Sequence, residues 1–124
     1  MTAVFAFEVT VVGTDWKQVV NAHTAGQAKH YYWRKVTDPW PDIPFTAIRA
    51  RKLGAPQSTE QFKHTAKYRG LPEIECGQRV RVGESEGVIV GSNDSANFDV
   101  LFDTNSARYG GQRLNVHPRE ITLM

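Results

Sequence analysis

The densest concentration of polar chemistry in this chain is the run GSNDSANFDVLFD, residues 91–103. Asn93, Asp94, Ser95 and Asn97 stand together there, where a strand connection needs only about two to five residues. Such side chains imitate backbone groups in turns, so a turn alone explains them. The same chemistry recurs downstream, with Arg113 and Asn115 just ahead of His117. Arg79 and Arg81 alternate, so they project to one face of a strand. Amides carry both donors and acceptors, and arginine offers a planar fork. Together they have the chemistry to read a base edge and hold a phosphate. Arg49 and Arg51 repeat the alternation in the first half, where a solvated strand face accounts for them equally well.

Catalysis finds little support. His23, His30, His64 and His117 are scattered, without HExxH or CxxC spacing, so no metal or other cofactor is expected. GxSxG and the GxxxxGK phosphate loop are missing. Cys76 is the single cysteine, which excludes an internal disulfide and reads as a packed residue. Asp99 and Asp103 flank a strand and would serve as turn caps.

These residues need elements to position them. Residues 4–12 read as a strand, with Phe5, Phe7, Val9 and Val11 on one face. GTD at 13–15 is a turn, and WKQVVNAH the partner strand. Thr24 with Gln27 forms a capping box that starts a helix at Ala25, with Ala25, Ala28, Tyr32 and Val36 along one face. Asp38-Pro39 stops it, DPWPDIP is a stiff connection, and FTAIRARKLG is a third strand. Tyr31, Tyr32, Trp33, Trp40 and Phe45 read chiefly as core, with room for one of them to stack on a base.

Ser58 and Gln61 repeat the capping pattern, predicting a second helix from Thr59 to about Arg69, closed by Gly70. Its apolar stripe is thin (Phe62, Ala66, Thr65), as expected of a helix that packs lightly or bridges to another subunit. From Gly77 onward, QRVRVG, EGVIVGS, NFDVLFD, QRLNVHP and EITLM are short strands with turn residues between them. The reading is an α+β chain in three parts: a ββαβ unit over 1–54, a linking and oligomerisation helix in 55–72, and a small SH3-like antiparallel β-barrel over 73–124.

The whole chain has 124 residues and a net charge of +2. Residues 1–54 hold seven Lys/Arg against four Asp/Glu, whereas residues 77–124 hold five against six. A duplex-binding barrel would carry a clear basic excess, so this balance weighs mildly against nucleic acid. No apolar run reaches the ~20 residues of a membrane span. No secretory signal is evident, and with one cysteine a cytoplasmic location is expected.

The order of these parts, with AKHYYWRKVTDPWPDIPFTAIRARKLG, YRGLP, EGVIVGSNDSANFDVLFD and NVHPREI, resembles small phage-encoded proteins, in particular the Thoeris anti-defence sponge family of the first type. The resemblance spans nearly the whole chain. It implies a protein that catalyses nothing, binds the cyclic ADP-ribose isomers made by bacterial TIR-domain defence enzymes, and keeps them from their effector in the host cytoplasm. It also implies dimers or hexamers, assembly through the second helix with ligand sites near subunit contacts, and in some members binding of cyclic oligonucleotides. Matched motif to motif, the ligand residues would be Asn93, Ser95, Asn97 and Arg113, with Lys29 or Arg34 as phosphate partner; Asn115 and Arg81 complete the candidate set. Two other readings stay open: an SH3-like nucleic-acid module, and a phage structural or partner-binding protein in which residues 91–97 are only a turn.

Overall fold

A computed structural model describes residues 2–106 and 108–124. It divides into two compact units, Val4–Ala55 and Pro56–Met124, the latter joined by Thr2 and Ala3. Among the described residues no helix is long and apolar enough to cross a membrane.

The first unit comprises β1 (Phe5–Val11), β2 (Lys17–Ala22), α1 (Ala25–Thr37), a 3-10 turn (Phe45–Ala47) and β3 (Ile48–Gly54). This is the expected ββαβ order. The sheet runs β2-β1-β3, antiparallel throughout. The alternating face of β1 is buried as its period dictates: Phe7, Val9 and Val11 join Val20, Ala22 and Ile48 beneath Ala28 and Tyr32 of α1. Each such apolar side chain contributes about 1.5–3 kcal/mol on burial. Ala25, placed by helical spacing on the same face, is exposed. Thr24 Oγ1 accepts the Gln27 N–H at 3.1 Å, and Gln27 Oε1 accepts the N–H of His23, one residue before the usual capping-box partner. Burial raises the Tyr32 phenol above its ordinary pKa.

The second unit holds α2 (Glu60–Tyr68), β4 (Arg79–Val82), β5 (Ser85–Ser92), β6 (Phe98–Phe102), β7 (Arg113–Val116), a 3-10 turn (Pro118–Glu120) and β8 (Ile121–Leu123). The cap of α2 is Thr59, whose hydroxyl accepts the Phe62 N–H at 3.2 Å. Ser58, the cap suggested by sequence, instead accepts the backbone N–H of Cys76 at 2.9 Å. At the other end Leu71 N–H bonds Ala66 O and Gly70 N–H bonds Lys67 O, a Schellman closure with Gly70 at φ 73°. The thin stripe of α2 is buried in this unit's own core. Phe62 is fully covered and packs on Phe98 with ring centroids 5.5 Å apart. The stripe therefore needs no second subunit to cover it.

The five strands form one antiparallel sheet in the order β7-β6-β5-β4-β8. Its edges β7 and β8 do not pair, so the sheet is open among the described residues rather than a closed barrel. The register of β5 on β6 shifts between Ile89 and Gly91, leaving Val90 as a bulge. Ile89, Val80, Val100, Phe98, Phe102 and Val116 form the core face.

Candidate functional site

The polar run is spent largely on its own fold. Asn93 Oδ1 accepts the backbone N–H groups of Ser95 and Asn97, each at 3.1 Å. Asn93 N–H bonds Asn97 O, and Ala96 N–H bonds Asn93 O. Ala96 takes φ 59°, the left-handed region, unusual for a residue with a Cβ. A residue missed by sequence reading holds this loop from outside: Arg69, the C-cap of α2. Its Nε donates to Ala96 O at 2.7 Å, and one terminal nitrogen donates to Asn97 Oδ1 at 3.1 Å and Ser95 O at 3.4 Å. Gln61 of the same helix donates to Asp94 Oδ1 at 3.1 Å. Two backbone carbonyls, the Asp94 carboxylate and the Asn97 amide thus dock α2 onto the β5–β6 turn.

Arg113 and Asn115 do come together, around a carboxylate. Arg113 lies 3.2 Å from Asp99 Oδ2, and Asn115 donates to Asp99 Oδ1 at 3.0 Å. Asp99 is 8% exposed, and Asn115 faces it directly in the β6–β7 ladder. This fork holds the carboxylate in place. A second pair parallels it: Arg79 donates to both oxygens of Asp103, at 2.8 and 2.6 Å, with Glu86 3.6 Å away. The Arg79 hydrogen bonds hold the Asp103 carboxyl below the ordinary carboxylate range against the opposing effect of burial, and they raise Arg79 in turn. Arg81 stays exposed on β4, opposite Glu86 and Thr122. Lys29 and Arg34 belong to α1 of the first unit; Lys29 Nζ sits 5.7 Å from the centre of the Phe45 ring, and Arg34 is exposed.

The first unit carries a concavity of different character. An open cleft of about 420 Å³ is lined by Val11, Val12, Thr14, Trp16, Trp40, Pro41, Asp42, Ile43, Pro44 and Ala47. Two segments distant in sequence build it. The β1–β2 turn is closed by Val11 N–H to Trp16 O, and by Thr14, whose hydroxyl donates to Val11 O and accepts the Trp16 N–H. The segment after α1 leaves the helix at Thr37, although Asp38, expected to be pushed out of helical geometry by Pro39, keeps αR dihedrals (φ −60°, ψ −55°). There Trp40 N–H bonds Val36 O, and the Trp33 indole donates to Ile43 O at 2.9 Å. Val12 N–H to Ala47 O, at 2.8 Å, ties the two segments together. Trp16 and Trp40 then face each other with centroids 6.0 Å apart and planes tilted by 38°, yet they remain 40% and 57% exposed. Trp33 packs edge-on to Phe45 at 5.8 Å and flanks the core, so the aromatic cluster divides into core members and an open pair.

Among the described residues no group of three His, Cys, Asp or Glu is placed to hold a metal ion. His117 Nδ1 accepts the Arg119 N–H, and His30 packs against Trp33 and Phe45. No family model, curated protein or solved structure matches the chain. Trp16 escaped sequence reading because it directly precedes β2; the signal available was Trp40, placed between two prolines outside any helix or strand.

Proposed function

We propose that the chain is a non-catalytic binding protein that captures a nucleotide signal of the cyclic ADP-ribose class and withholds it intact, with the base seated in the Trp16–Trp40 cleft. The cleft carries this reading. Its volume lies within the roughly 300–1,000 Å³ of small-molecule sites, and its lining is apolar and aromatic with few polar groups. The resemblance to the anti-defence sponge family supplies the ligand class and a phage protein acting in the host cytoplasm. No lysine or arginine lines the cleft, so the phosphates would lie toward its mouth. A homo-oligomer, dimer or hexamer, belongs to the same reading, as does binding of cyclic oligonucleotides.

We also propose an SH3-like class for the second unit, a reading supported by the strand order β7-β6-β5-β4-β8 and by the 3-10 turn before the last strand. This supports a second reading, a nucleic-acid-binding module using exposed arginines such as Arg81. Calorimetric titration with cyclic ADP-ribose isomers, followed by heat release and recovery of the ligand, tests the first. Tight binding with intact ligand recovered is the expected result, and a flat titration with every isomer removes it. Binding of RNA or DNA that weakens steeply with salt would favour the second.

A further inference from the structure

We infer that the Trp16–Trp40 cleft selects a planar ring bearing an exocyclic amino group, and that Asp42 is its specificity-determining residue. The inference deepens the binding reading above by naming the moiety recognised and the group that discriminates.

The argument begins with which polar groups of the cleft are already committed. The Thr14 hydroxyl is used in both directions, toward Val11 O and the Trp16 N–H. The Asp42 carboxylate lines the cleft, is exposed, and makes no hydrogen bond or ion pair with the described residues. The two indole N–H groups are donors, and the remaining surface is largely hydrocarbon, from residues including Val12, Ile43 and Pro44. An ionised carboxylate accepts hydrogen bonds and cannot donate. A ligand ring placed beside it is therefore favoured with an amino group at that edge and disfavoured with a carbonyl, which would set acceptor against acceptor. This is the logic by which carboxylates take the amino group of cytosine in nucleic-acid grooves.

Shape argues for a ring over a simple ammonium ion. An ammonium cage needs aromatic faces converging on one point, whereas here two indoles, 6.0 Å apart and tilted by 38°, line an open cleft whose other walls are mostly aliphatic. Indoles left 40% and 57% exposed supply stacking surface that any base satisfies. The carboxylate then adds the discrimination that stacking lacks.

The test titrates the full chain with adenosine and purine riboside, which differ in the exocyclic amino group alone, following tryptophan fluorescence and amide shifts. Adenosine should bind roughly tenfold more tightly than purine riboside, the worth of one hydrogen bond to a charged group. Asp42→Asn should shrink that ratio, since its neutral amide accepts a weaker hydrogen bond than the carboxylate. Trp40→Ala should weaken adenosine roughly tenfold, and Trp40→Phe less. Both side chains are exposed, so thermal midpoints should hold and separate lost recognition from lost fold. Equal affinity for the two nucleosides, an unchanged ratio in Asp42→Asn, or no binding of either nucleoside overturns the inference. If cyclic ADP-ribose binds but ignores Trp40→Ala and Asp42→Asn, the cleft assignment falls and the sponge function stands. If adenosine is selected while cyclic ADP-ribose fails to bind, the sponge function falls and this inference stands.

Discussion

Arg69→Ala separates a loop built to hold a helix from a loop built to hold a ligand. The guanidinium reaches the β5–β6 turn through one short bond to Ala96 O, at 2.7 Å, and two longer contacts to Asn97 Oδ1 and Ser95 O. A hydrogen bond with one charged partner contributes about 1.5–3 kcal/mol when well formed. Arg69 is half-buried, so screening discounts the longer contacts. The loop it holds contains Ala96 in the left-handed region, a conformation costing about 1–2 kcal/mol that neighbouring contacts must offset. A net loss of about 2 kcal/mol follows. For a chain of this length each kcal/mol moves the midpoint by about 4 °C, so the variant should melt about 8 °C lower. Circular dichroism reads the midpoint, and urea titration checks that the slope is retained. A double-mutant cycle with Asn97→Ala should return a coupling of about 0.5–1 kcal/mol. Arg69→Lys should recover less than half the loss, because an ammonium cannot span three acceptors. Tyr68→Ala is the control: its ring is 73% exposed and lies 5.7 Å from the Arg69 guanidinium, so its removal should leave the midpoint nearly unchanged. A midpoint for Arg69→Ala within about 1 °C of wild type, or a coupling near zero, would refute the clamp and return Asn97 Oδ1 to the groups available for a ligand.

Two further outcomes test the sheet of the second unit. Asp103→Asn should cost about 3 kcal/mol at pH 7, since it leaves Arg79 partly buried without its carboxylate. Because the Asp103 carboxyl is held below its unfolded value, its contribution is present above about pH 4 and is lost as pH falls through the folded value. Wild-type stability should therefore slope downward in that acid window and the variant should slope less; parallel curves would exclude the pair as the cause. Gly87→Ala would place a Cβ 2.7 Å from Leu101 O and 3.0 Å from Phe102 Cα. Neither is a flexible side-chain end, so about 2–3 kcal/mol of overpacking is expected, and a wild-type urea midpoint would show that the strands can part there.

Whatever depends on nearby residues could be read in the chain. The period of β1 gave its buried face, Thr24 and Asp38-Pro39 bounded α1, and Gly70 closed α2, because each is settled within one turn of backbone. What escaped depends on a distant partner. Ser58 and Thr59 are both competent caps, and the choice falls to Thr59 because Ser58 is drawn away by the backbone of Cys76. The amides at 93–97 have the right chemistry for a ligand, but Asn93 Oδ1 is taken by the backbone of its own turn and Asn97 Oδ1 by Arg69. Trp16 and Trp40 pass for ordinary core residues until the bond from Val12 to Ala47 brings a hairpin turn against the segment after a helix. A sequence search for function tends to favour clustered polar residues. Here many of those groups meet one another, although Ser92 Oγ and Arg79 Nε stay buried without a hydrogen bond, whereas the two indoles and one carboxylate of the cleft retain surface or hydrogen-bonding capacity that the fold leaves open. That remaining capacity, more than polarity, is why the first unit is the place to look for a ligand.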